Sequence, residues 1–147
     1  MRIFSALAVT VALAGCSTAP ITVERAKSVP QERIYFVGEE GQQSSSTLVV
    51  VRDRGATGSA CFINLWINGK IAAQFDPEEK AVFKILPGGH ILGIQIQKTG
   101  LCGIGQGLIE REVVIAPGEV KYYRIFTSAN AEVDLLPSAY VGGQYEK

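Results

Sequence analysis

No excess of either charge is present: fourteen Lys and Arg stand against fourteen Asp and Glu, with no basic run anywhere. A nucleic-acid footprint needs a basic stripe or patch, so polyanion binding is a poor starting point. Histidine is almost missing. His90 is the only one, so any Ser/His/Asp or Cys/His scheme has a single candidate base. It follows a Pro-Gly-Gly turn and shares strand parity with Leu92, Ile94 and Ile96, which reads as a strand-start histidine hydrogen-bonded to backbone. Oxygen ligands at EF-hand spacing are absent too, and so is any segment of ten or more residues beyond the leader with a clean 3.6-residue period. Calcium-loop chemistry and a helical fold drop out together.

What is present is strand grammar. The segments 33–37, 47–53, 61–67, 70–75, 81–86, 89–97, 108–115 and 119–127 are rich in Val, Ile, Tyr and Phe, and turn residues separate them. Asn68-Gly69 is the strongest hairpin signal, since both residues tolerate positive φ. Pro87-Gly88-Gly89 and Pro117-Gly118 are turn chemistry as well. Spacing of this kind predicts an all-β, antiparallel sandwich of seven to eight short strands over residues 33–136, followed by a tail over 137–147.

Strand alternation sets Ile63, Leu65 and Ile67 on one side, with Phe62, Asn64 and Trp66 on the other. A two-residue turn at 68–69 puts Ile71 on the Trp66 face and Phe75 on the Phe62 face. A bulge would swap the pairing. Either choice of core leaves large apolar side chains to be covered by the linker, by the tail or by a partner. Phe62, Trp66, Ile71 and Phe75 are therefore candidates for an interaction surface.

The amino-terminal segment carries an address. Met1-Arg2 gives a positive start, and Ile3–Ala14 is apolar but for Ser5 and Thr10, as in a signal-peptide h-region. Twelve residues of helix would span about 18 Å, short of the roughly 30 Å hydrocarbon core. The run ends in Leu13-Ala14-Gly15-Cys16, which resembles the lipobox of bacterial lipoproteins. That resemblance implies cleavage after residue 15, a diacylglyceryl thioether on Cys16 and an N-acyl chain such as palmitate on the new terminus. Ser17 stands where enteric lipoproteins retained in the inner membrane have Asp, so the outer membrane facing the periplasm is the expected home. Residues 16–32, with Pro20 and Pro30 and no period, read as a flexible tether. The polar run 38–46 reads as an exposed loop.

With Cys16 lipidated, Cys61 and Cys102 are an even pair in an exported chain, and a disulfide between them is expected. Their separation of 41 positions excludes a CxxC redox centre, and two thiols with one distant His are too few for zinc. Gly100, Gly103, Gly105 and Gly107 make no dinucleotide fingerprint, because no helix pattern follows them. Glu110 and Glu112 share a strand face with Arg111 between them, and Asp76, Glu78 and Glu79 form a turn with Lys80 as counter-charge. No catalytic set, metal site or cofactor emerges.

Ile34-Tyr35-Phe36, Leu65-Trp66-Ile67-Asn68-Gly69-Lys70, Leu86-Pro87-Gly88-Gly89-His90 and Pro117-Gly118 with Tyr122-Tyr123-Arg124 resemble the small β-sandwich domains of bacterial lipoproteins akin to PEGA-type domains. The resemblance covers 33–126 and implies an envelope lipoprotein with a compact β domain and no chemistry to carry over. The expected function is a lipid-anchored, non-catalytic structural or protein-interaction module with an envelope protein as partner. The alternative is a periplasmic ligand-binding or enzyme-inhibitor module that uses the Gly-rich Cys102 loop, with Gly103 and Gly105 at its reading edge.

Overall fold

The computed structural model describes residues 17–36, 38, 45–103 and 106–143. The leader, Cys16, Gly105 and most of the polar loop at 39–44 lie outside the described residues. The regular elements are strands and two 3-10 turns, Gln31–Arg33 and Gly100–Gly103. The strands are β1 (Lys27–Ser28), β2 (Ser46–Arg52), β3 (Ile63–Ile67), β4 (Lys70–Phe75), β5 (Glu79–Ile85), β6 (Gly88–Ile96), β7 (Ile109–Ile115), β8 (Val120–Thr127) and β9 (Val133–Pro137).

They form a five-stranded sheet, β1-β5-β2-β8-β9, and a four-stranded sheet, β4-β3-β6-β7. The smaller sheet is antiparallel throughout. In the larger one, β1 pairs with β5 and β2 with β8 in parallel, which corrects the expectation of a purely antiparallel fold. Side-chain alternation is the same in both pairings, so periodicity could not distinguish them. Of the segments read as strands, 33–37 differs. It is the end of the Gln31–Arg33 turn followed by a single bridge, Ile34 to Ala73.

One buried cluster joins the sheets: Leu48, Phe83 and Ile125 from the larger one meet Leu65, Phe75 and Ile94 from the smaller. A second cluster lies on the opposite side of the larger sheet, where Val49 and Val51 of β2 are covered by Ile21, Ala26 and Val141. This explains the unbroken Leu48-Val49-Val50-Val51 run, because a central strand buried on both faces loses its polar alternation.

The same cluster corrects the reading of 17–32 as a tether with no reason to pack. Val23 N–H donates to Val141 O at 2.9 Å, Lys80 Nζ donates to Val23 O at 2.6 Å, and β1 extends the sheet edge. Ile21, Ala26 and Val29, apolar residues at irregular spacing, are the buried points that pin a segment with no helix or strand period.

The β3–β4 hairpin turns at Asn68 (φ 49°) and Gly69 (φ 77°), with Ile67 paired to Lys70, as a type I′ turn requires. A bulge follows. Trp66 pairs with Ile71 but Leu65 pairs with Ala73, so Ala72 is the extra residue. Its carbonyl then accepts the N–H groups of Tyr35 and Phe36 at 2.8 and 3.1 Å.

Candidate interaction surface

The hairpin register keeps Trp66 and Ile71 side by side on the outer face of the four-stranded sheet. The bulge sends Phe75 inward opposite Ile63, fully buried, which corrects its reading as a surface candidate. Phe62 is half-buried, with the Arg33 guanidinium 4.9 Å over its ring. Gly103 closes the 3-10 turn that carries Cys102 of the disulfide.

The outer face that carries Trp66 is mixed, with exposed apolar side chains interleaved with exposed Glu110 and Glu112. Tyr35, Ile91, Leu108 and Val114 are exposed, Val114 by 61%. Gly93 stands opposite Trp66, and a Cβ there would lie 3.0 Å from Leu108 Cδ1 and 3.2 Å from Trp66 Cβ. A side chain at 93 would therefore push these two side chains apart by a few tenths of an ångström. Trp66 Nε1 and Asn64 Oδ1, two positions apart on this side of β3, are buried without a hydrogen-bond partner. Both atoms lie beneath the surface of the face and are not presented to solvent.

A different set of groups gathers at the end of the molecule where β2 and β8 finish and β3, β7 and β9 begin. The Cys61–Cys102 disulfide is formed, with Cα atoms 5.6 Å apart. Beside it opens a cavity of about 140 Å³, lined among others by Arg52, Cys61, Ile63, Leu101 and Val133. Arg52 is 2% exposed. Its Nη1 donates to Cys61 O and Phe75 O at 2.7 and 2.8 Å, and its Nη2 donates to Gly58 O at 2.7 Å. Burial pulls its pKa down to about 10, which still leaves it charged at neutral pH. Sequence reasoning passed over Arg52. Its parity with Leu48 and Val50 was the available signal, since it places a cation on the core side.

Asp53, the next residue, points to the other side and is 1% exposed. Its Oδ2 lies 3.1 Å from Arg124 Nη2 and 3.2 Å from the Thr18 hydroxyl. Thr18 also exchanges backbone and hydroxyl bonds with Thr127 at 2.9–3.1 Å, and Ala19 bridges Arg54 at 2.8 and 3.0 Å. Burial pushes the Asp53 carboxyl up to about 6, against the opposing pull of Arg124 and Thr18. A raised carboxyl pKa favours the protonated folded state. The stability it contributes is complete below its unfolded value near 3.8 and is lost as pH rises through about 6. Asp53→Asn removes this dependence, so urea unfolding from pH 4 to 7 should show the variant gaining on the native chain by up to about 3 kcal/mol. A constant difference across that range would contradict the assignment.

The remaining candidates are structural. His90 accepts from Asn68 Nδ2 at Nδ1 (3.0 Å) and donates from Nε2 to Leu86 O (2.8 Å), so both ring nitrogens are engaged in tying two turns together. Asn68 Oδ1 completes the tie by accepting Ile91 N–H at 3.0 Å. The counter-charge of Glu79 is Arg33, bidentate at 2.6 and 2.8 Å, and not Lys80 as the local sequence suggested. Arg111 pairs with Asp134 at 2.9 Å, while Glu110 and Glu112 face solvent. Among the described residues no three His, Cys, Asp or Glu side chains are grouped to hold a metal. No family model and no curated protein matches the sequence.

Proposed function

We propose that this chain is a bacterial envelope lipoprotein, anchored by lipid on Cys16 at the periplasmic side of the outer membrane. Its β-sandwich acts as a non-catalytic protein-interaction module of the kind that PEGA-like domains represent. The single observation behind the interaction reading is the outer face of the four-stranded sheet, where Tyr35, Ile91, Leu108 and Val114 are exposed. A disulfide suits the exported compartment that the lipobox implies. The partner is another envelope protein presenting an apolar patch to this face. A photo-crosslinking residue at Ile91 in intact cells tests this: one dominant adduct with a second protein is expected, and labelling no higher than background would overturn it.

The second reading, a small-ligand or inhibitor module at the Cys102 loop, draws on the cavity of about 140 Å³ beside the disulfide. Its size limits a ligand to a handful of heavy atoms, well below the 300 Å³ or so of an ordinary ligand pocket. The open sheet face is the better-supported site.

A further inference from the structure

We infer that the disulfide end of the domain is seated on the lipid surface that holds the anchor, with Leu101 entering the interface; this rests on the proposed lipidation of Cys16. Two independent features converge on that end. Thr18 and Ala19 are locked by six hydrogen bonds to Asp53, Arg54 and Thr127, and a Cβ at Gly55 would come within 2.9 Å of Thr18 Cγ2. The chain therefore leaves the domain at the 53–60 loop. From Thr18 back to Cys16 is two residues, a reach of at most about 7 Å. A sixteen-residue free tether would have reached about 50 Å.

The second feature is Leu101. It is 91% exposed at the tip of the Gly100–Gly103 turn, which the Cys61–Cys102 bond pins in place. Leu101 lines the same cavity as Thr127, and Thr127 is bonded to Thr18 through both its N–H and its carbonyl, so the anchor's exit and the exposed leucine occupy one end. The polar headgroup layer on each side of a bilayer is about 5–8 Å deep. A leucine on a short, pinned turn at an end held about 7 Å from the lipidated residue reaches the boundary where interfacial apolar groups lodge. Exposed Arg54 and Lys98 on these loops are accompanied by exposed Glu132, so the contact is apolar more than electrostatic and should tolerate salt. Seated this way, the sheets stand away from the membrane and the Trp66 face is open to the side.

The test uses full-length protein purified from membranes and reconstituted into phosphatidylethanolamine/phosphatidylglycerol vesicles that contain brominated lipid. An environment-sensitive fluorescent residue is placed at Leu101 or, separately, at exposed Lys70 beside the opposite hairpin turn. The mass of the amino-terminal peptide is read for each sample. Lipid-modified Cys16 with severalfold stronger quenching at 101 than at 70, little changed by salt, is the expected result. Lipid-modified Cys16 with equal quenching at both positions overturns the seating alone. An unmodified Cys16 overturns the anchor, and the seating falls with it.

Discussion

Arg52→Met should destabilise the domain by about 3 kcal/mol, read as a lower urea midpoint at unchanged slope. Three carbonyls, of Gly58, Cys61 and Phe75, lose a charged donor. Hydrogen bonds to a charged group contribute roughly 1.5–3 kcal/mol each. Two effects offset part of that loss. Methionine relieves the burial cost of an ion to which, among the described residues, no carboxylate is bonded, and the loop carbonyls of Gly58 and Cys61 can turn to water. Phe75 O cannot, because its residue is fully buried. Arg52→Lys keeps the charge but not the fork that reaches three carbonyls, so an intermediate loss is expected. A loss below about 1 kcal/mol for the methionine variant would mean that the guanidinium is a tolerated passenger instead of a staple.

Replacing both Cys61 and Cys102 with serine is expected to cost about 4 kcal/mol and lower Tm by roughly 20 °C. The loop closed by this bridge spans 41 positions, which sets the unfolded-state entropy that the bond removes. A domain of this length has little surplus against that loss. Thermal unfolding of the oxidised native chain and the double serine variant gives the comparison. A fall of only a few degrees would show that the bridge orders the Leu101 turn without stabilising the sheets.

Several elements were legible before the structure. Asn68-Gly69 specifies a two-residue turn through backbone sterics alone, and that turn places Trp66 with Ile71 as expected. The Cys61–Cys102 bond followed from the even pair of cysteines left once Cys16 is read as a lipidation site. Phe75 was misplaced because one bulge residue, Ala72, shifts everything beyond it by one position, and nothing in Lys-Ile-Ala-Ala-Gln-Phe announces a bulge. Long-range pairs were out of reach for the same reason: Arg33 finds Glu79 across 46 positions, and periodicity carries no information about partners so distant.

The terminal segments show where composition misleads. Prolines and scattered charges mark 17–32 as linker, yet a valine face on β2 needs covering and the passing chain supplies Ile21 and Ala26. The carboxyl-terminal segment is one of the covers that the sequence allows for an apolar face, with Leu135, Leu136, Tyr140 and Tyr145 as its apolar residues. Within the tail, Val141 does the covering, on the five-stranded sheet; Leu135 belongs to the shared core, and Tyr145 lies outside the described residues. The face those segments leave open is the one that bears Trp66.

The central claim, that this open face is where a second envelope protein docks, is tested most directly by paired photo-crosslinking in intact cells. One probe replaces Ile91, 41% exposed on the four-stranded sheet, and the other replaces Val82, 56% exposed on the five-stranded sheet. The account predicts one dominant hetero-adduct from position 91 and background labelling from position 82. Equal labelling from both, or none from position 91, would contradict it.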